Sequence, residues 1–165
     1  MTFLAINVLL ALTWGALWGT FAPLDLTAGF VFGFAALWFA RGLVARNTDS
    51  GGEAHYFRAL PQAVVLFCYF IKELVKSCLL VARDCIARKP RLHPAIVQMP
   101  IGPKSDLEIF LLANLITLTP GTLTLDVAPD KSYLVIHSIY AENPEALVAD
   151  LQAGMEHRVG KVFRR

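Results

Sequence analysis

Residues 114–127 read NLITLTPGTLTLDV, and the way they divide decides the fold. Residues 114–118 close an apolar helix. Residues 119–122, Thr-Pro-Gly-Thr, suit a type II turn: Pro120 at the second position presets φ, and Gly121 at the third supplies a positive φ. Residues 122–127 then alternate as a strand, with Leu123, Leu125 and Val127 expected to bury one face and Thr122, Thr124 and Asp126 on the other. The threonines are expected to bond local backbone rather than to ligate a cation.

Upstream, Ser105 and Glu108 form a capping box that starts a helix at Asp106. Its body, LEIFLLANLITL, is apolar nearly all round, interrupted by Glu108, Asn114 and Thr117. It is too short to cross a bilayer. A helix apolar on every side must be covered on every side. A sheet can cover one; the bilayer surface or another protein should cover the other. Before it, residues 96–99 read as a short strand. After the 122–127 strand, Pro129-Asp130-Lys131 turns the chain into a returning strand over residues 132–140. His137 could there pair with Asp126 or Thr124 across the hairpin. Asn143 caps a last helix with Pro144 at its first position. Leu147, Leu151, Met155, Val159 and Val162 share one face of it. Arg158, Lys161, Arg164 and Arg165 at its end suit the helix dipole and equally suit anionic headgroups. The order is βαββα, a small α+β domain.

The front of the chain differs. Residues 1–40 contain one charged side chain, Asp25, whereas from Arg83 onward there are ten Lys/Arg and nine Asp/Glu. Hydrophobic residues make up 56% of the chain and charged residues 17%, against roughly 25% charged in soluble proteins. Apolar runs over residues 3–22 and 24–41 predict membrane helices. No Lys or Arg precedes the first run and a second follows at once, which argues against a signal peptide. Gly15 and Gly19, and likewise Gly29 and Gly33, stand at the spacing that lets membrane helices pack closely. Trp14, Trp18 and Trp38 are candidate interfacial anchors. Residues 41–58 read as a polar linker, with loop chemistry over residues 47–52. A third helix over residues 60–87 follows, with Pro61 in its first turn. Lys72, Glu73 and Lys76 interrupt its apolar part. Two readings fit them: snorkelling or pairing at the interface, or an intramembrane relay for protons or cations.

The expected partition is thus residues 1–88 as two to three short membrane helices, residues 89–95 as a linker and residues 96–165 as a cytoplasmic α+β domain. The cytoplasmic side is expected because Arg83, Arg88, Lys89 and Arg91 form the denser basic cluster and adjoin the domain.

No enzyme signature is present. Neither a nucleophile elbow, nor a phosphate loop, nor a dinucleotide fingerprint occurs. His55, His93, His137 and His157 lie on separate elements, and Cys68, Cys78 and Cys85 lack metal or disulfide spacing; the cysteines are expected to be small core residues. No cofactor and no metal is expected. A net charge of +2 without a basic stripe excludes nucleic acid as a partner.

The central NLITLTPGTLTLDV stretch, with the FIKELVKSCLLVARD helix before it, the proline-broken linker and the YLVIH strand, closely resembles the E subunit of the Mrp-type (Mnh/Pha) multisubunit monovalent cation/proton antiporters. The resemblance covers nearly the whole chain. It implies an integral-membrane subunit of a large inner-membrane complex, with other subunits and the lipid bilayer as partners. Larger polytopic subunits of that family carry most of the ion path, and the E subunit would serve assembly or stability. Candidate assembly and turn residues are then Asn114, Thr117, Thr119, Pro120, Gly121, Thr122 and Asp126. Lys72, Glu73 and Lys76 form a candidate membrane charge cluster. Alternative functions are a direct contribution to the ion path through that cluster, or a membrane-anchored module recruiting a cytoplasmic partner.

Overall fold

The computed structural model describes residues 3–44, 50–102 and 104–163. It divides into a unit ending at Leu60 and a unit beginning at Pro61.

The first unit holds α1 (Phe3–Trp18), α2 (Pro23–Val44) and the start of α3 (Ser50–Ile86). Gly19 takes φ 67°, and the N–H groups of Gly19 and Thr20 return to Ala16 O and Gly15 O at 3.3 and 3.0 Å. Gly19 is therefore a helix stop, not the packing residue its spacing suggests. Gly29 and Gly33 do lie where α1 and α2 touch: a Cβ on Gly33 would overlap the Asn7 side chain, and one on Gly29 would overlap Trp14. Asn7 is fully buried and donates to the Tyr56 hydroxyl at 2.7 Å. Among the described residues, one helix is long and apolar enough to cross a membrane, over Pro23–Ala40; α1 is a shorter apolar helix of 16 residues.

The third helix begins well before the expected residue 60, so Pro61 lies inside it rather than in its first turn. The cause is aromatic packing. Tyr56 and Phe57 bury against Phe3 and Phe34, with the Phe57 ring 5.7 Å from Phe3 and 5.4 Å from Phe34, which holds the preceding segment helical despite the N–H that Pro61 lacks. Residues 45–49 of the predicted 41–58 linker lie outside the described residues, as do Arg164 and Arg165 of the predicted C-terminal basic cluster.

The second unit contains the rest of α3, then β1 (Ala95–Pro100), α4 (Asp106–Leu118), β2 (Thr122–Val127), β3 (Tyr133–Ser138), α5 (Pro144–Leu151), a π-helical turn (Gln152–Glu156) and α6 (His157–Phe163). The N-terminal helices are thus followed by a mixed α/β region in the predicted order. The three strands form one antiparallel sheet, β1-β3-β2. Val97, Met99, Leu134 and Ile136 from the sheet meet Ile109, Leu112 and Ile116 from α4, Met155 and Val159 from the C-terminal helices, and Leu66 from α3. Ser105 and Glu108 close the capping box.

Before its bulge β2 alternates in reverse of the expectation, whereas beyond it Val127 packs on the core and Asp126 faces out, as expected. Leu123 and Leu125 are 44% and 49% exposed, while Thr122 and Thr124 turn towards α4. Thr122 Oγ1 donates to Ile116 O at 2.6 Å and Thr124 Oγ1 to Ala113 O at 3.2 Å. Both threonines thus tie β2 to the last turns of α4, adding a donor to carbonyls that also serve the helix backbone. The register explains the rest: Thr124 pairs with Ile136 and Asp126 with Val135, leaving Leu125 as the extra residue of a bulge. His137 stands opposite Leu123 and Ile96, not opposite Asp126 or Thr124. The cysteines differ from expectation too. Cys68, Cys78 and Cys85 are all exposed on α3 rather than packed in the core.

The apolar positions 147, 151, 155 and 159 step by four residues. In an α-helix each such step drifts by about 40°. The π turn at Gln152–Glu156 takes up that drift, and Met155 and Val159 both stay buried.

Candidate functional site

Two groups of residues singled out in the sequence come together in a cleft of about 170 Å³ in the second unit. One wall is α3, contributing Tyr69, Glu73, Lys76, Ser77 and Leu80. Facing it are Thr119, Pro120, Gly121 and Thr122, with Ser138 and Tyr140 from the end of β3 and Asp150 from α5. The other candidates lie elsewhere. Asn114, Thr117 and Asp126 line an outer groove between α4 and β2, and Lys72 opens onto a groove of its own along α3.

The turn has type II geometry. Gly121 takes φ 94°, and the Thr122 N–H donates to Thr119 O at 3.2 Å. Every threonine hydroxyl of the stretch is occupied by backbone. Thr119 Oγ1 donates to Leu115 O at 2.9 Å, and Thr117 Oγ1 accepts from Thr124 N at 3.2 Å. Asn114 donates to Phe110 O at 2.7 Å, and Asp126 accepts from Val127 N at 2.8 Å. The stretch is a structural knot joining α4 to β2.

The charged side of the cleft is asymmetric. The Glu73 side chain is 14% exposed and pairs with Lys76 at 3.4 Å and Lys72 at 4.0 Å, while the two lysines extend outward. Near the end of α3, Asp84 is buried and held by Arg83 through two contacts of 3.0 and 2.8 Å. Its Oδ2 and the Tyr140 hydroxyl are both buried without a partner at full hydrogen-bonding geometry, yet they lie close enough to act on each other. The Tyr140 phenol is raised above its ordinary value, first by burial and then by the Asp84 carboxylate. A neutral phenol therefore faces a carboxylate across the junction between α3 and the sheet.

A second clamp fixes α3 to the C-terminal helices. Tyr69 lies against Gly154 in the π turn. Arg158 stacks over the Tyr69 ring 3.8 Å from its centroid and donates to Gly154 O at 2.8 Å. Lys104 and Glu156, both largely buried, form an ion pair of 2.8 Å. Sequence reading missed Tyr69, Asp84, Tyr140 and Gly154, and gave Arg158 a helix-dipole or headgroup role rather than its stack on Tyr69. The one available signal was a stripe of four-residue steps too long for a straight α-helix. Among the described residues no group of three His, Cys, Asp or Glu side chains gathers to hold a metal. The arrangement joins one helix to one small domain.

The sequence profile of the family described as MNHE, Na+/H+ ion antiporter subunit, matches residues 7–162. The chain belongs to this family. It is a family of transporter subunits, not of enzymes. Among its relatives, the E subunit of the Na+/H+ antiporter of Alkalihalophilus pseudofirmus is 30% identical over 159 residues, covering 96% of each chain. The corresponding E subunit of Bacillus subtilis is 30% identical over 159 residues with the same coverage. A chain in the structure of the membrane-bound sulfane sulfur reductase, an archaeal respiratory membrane complex, superposes with a TM-score of 0.55 at 24% identity over 98% of both chains. That likeness concerns the fold.

Proposed function

We propose that this protein is an accessory, structural component of a multisubunit Na+(K+)/H+ antiporter in the bacterial inner membrane. In this reading it crosses the membrane through its N-terminal helices, two to three in number, and carries residues 96–165 as a cytoplasmic domain. Its task is assembly: it supplies a rigid body on which larger polytopic subunits, which carry the ion path, are held. The observation that carries the reading is the outer side of α4 and β2. Leu107, Phe110 and Leu118 are exposed at 61%, 64% and 61%, on the helix face opposite the core, and Leu125 adjoins them across the Asn114–Thr117 groove. A soluble domain gains nothing from such a surface, whereas an interface between subunits requires one.

The test is replacement of Phe110 by Asp. The side chain is outside the core, so the isolated protein should keep its thermal stability within about 0.5 kcal/mol, while its recovery with the other antiporter subunits should fall severalfold. Full co-purification of the F110D variant with large polytopic partners would overturn the assignment of this face, and recovery of the unaltered protein alone would overturn the structural role itself.

The burial of Glu73 in the cleft favours a second reading, a direct part in the ion path. Glu73→Gln separates the two: normal assembly with lost exchange supports the path, and normal assembly with normal exchange removes it.

A further inference from the structure

Beyond Lys72 the helix α3 continues to Ile86, and this half is amphipathic in an unusual way. Val75, Leu79 and Ile86 project outward with exposures of 51%, 66% and 87%. Lys72, Lys76 and Arg83 follow the same side at steps of four and seven residues, and their side chains are 73%, 67% and 51% exposed. The three cations, with Val75 and Leu79, border one open groove of about 480 Å³. Two carboxylates serve these three cations, Glu73 pairing with both lysines and Asp84 with Arg83, and they sit beneath the face at only 14% and 5% exposure. The outward face therefore presents aliphatic side chains edged by positive charge, while the negative charge sits beneath it.

We infer that this groove binds the phosphate headgroup of an anionic phospholipid, with Val75 and Leu79 against the upper acyl chain. The inference rests on α3 lying at the membrane, as proposed above. Two physical points select lipid as the occupant. An exposed apolar stripe with a basic flank is the pattern of a helix seated at the headgroup boundary. Lys72 and Lys76 can lay their methylene stems along the aliphatic stripe while their ammonium groups reach the phosphates. A helix leaving the membrane at Lys72 to stand in water would expose Val75, Leu79 and Ile86 without compensation. Seated along the headgroup layer, the same residues are covered.

The experiment uses the full-length protein, in the antiporter complex and alone, purified in detergent and offered cardiolipin, phosphatidylglycerol or phosphatidylcholine. Retained lipid is counted by native mass spectrometry. Cardiolipin and phosphatidylglycerol should be retained in preference to phosphatidylcholine, and less so as salt rises. K72Q/K76Q should lose about twenty-five-fold in that preference, since each surface basic residue contributes about fivefold. K72R/K76R should keep it. Glu73→Gln, which leaves both lysines in place, should also keep it, and so controls for loss of the ion pairs. Free inorganic phosphate should not compete at concentrations where cardiolipin saturates. Equal retention of the three lipids, an unchanged preference in K72Q/K76Q, displacement by phosphate alone, or cross-linking of positions 72 and 76 to an acidic protein segment would each overturn the inference. A lipid preference that persists in the protein alone while co-purification fails would overturn the assembly role and leave the lipid site standing.

Discussion

The hydroxyl of Tyr69 on α3 occupies the space that a side chain at position 154 would need. The π turn and the absence of a side chain at Gly154 let the C-terminal helices approach α3, and Arg158 locks the contact by stacking on the same ring. Adding a methyl group at position 154 should therefore push the two apart. We expect Gly154→Ala to cost about 1–3 kcal/mol as overpacking. Tyr69→Phe, by removing the clashing hydroxyl, should recover part of the loss in the double variant. Thermal unfolding of the four species closes the cycle; additive losses would show that the two residues do not meet.

The same logic applies in the first unit. Asn7 is buried between apolar helices, bonded to Tyr56 and facing the bare backbone of Gly33. Interhelical hydrogen bonds in membrane proteins are worth about 0.6 kcal/mol on average, so Asn7→Ala should be tolerated. Gly33→Leu should not be, because its side chain meets both Asn7 and Leu10. Loss of the protein from membranes in G33L, set against near-normal levels in N7A, is the expected result, and equal levels of both would refute the close approach.

Which parts of this fold were legible in the sequence follows from what each signal measures. The capping box at Ser105, the Pro120-Gly121 turn and the Asn143-Pro144 start are local chemistry, and each was readable from adjacent residues. Strand polarity in β2 was not. Alternation gives two faces but not which one is inside, and the apolar side chains were assigned to the core by default. The structure instead turns Thr122 and Thr124 towards α4, where their hydroxyls bond Ile116 O and Ala113 O, and it exposes Leu123 and Leu125. The early start of α3 was hidden for a related reason. Pro61 and the polar residues before it signal a boundary, whereas the helix is held by Tyr56 and Phe57 packing on residues some fifty positions earlier. Of the site, the turn and the Glu73–Lys76 pair could be found separately. Their meeting in one cleft is a tertiary fact that no local pattern carries.

Acid titration offers a separate check on the β2–β3 hairpin. The Asp130 carboxyl is held below its ordinary value, chiefly by the Ser132 hydroxyl and then by the Ser132 backbone N–H, at 2.7 and 3.2 Å. A depressed folded-state value means that the folded state favours the carboxylate. Its contribution is present above the unfolded value of about 3.9 and is lost as pH falls through the lower folded value. Asp130→Asn should therefore flatten the fall in the unfolding midpoint below pH 4, while leaving its neutral-pH dependence unchanged. An unaltered acid limb would remove Asp130 from the hairpin's stability.

The reversed polarity of β2 ahead of its bulge yields the sharpest prediction. If the leucines faced the core, Leu125→Thr would open a cavity and cost about 2 kcal/mol or more. With Leu125 on the bulge and half exposed, it should cost no more than about 0.5 kcal/mol. Thr122→Val, which keeps the volume but removes the hydroxyl bonds to Ile116 O and Thr119 O, should cost about 0.5–1.5 kcal/mol, the net worth of such a hydrogen bond, since both carbonyls keep a backbone donor. Gly121→Val should cost more than either, because φ 94° is strained for a β-branched residue and the new side chain would press on the Tyr140 ring, whose atoms lie 3.2 Å from an added Cβ. The expected order of destabilisation, Gly121→Val above Thr122→Val above Leu125→Thr, is measurable by unfolding the purified protein in detergent. The opposite order for Thr122→Val and Leu125→Thr would restore the polarity read from the sequence. The expected order, combined with poor incorporation of the Leu125→Thr variant into the complex, would place Leu125 at an interface rather than in the core.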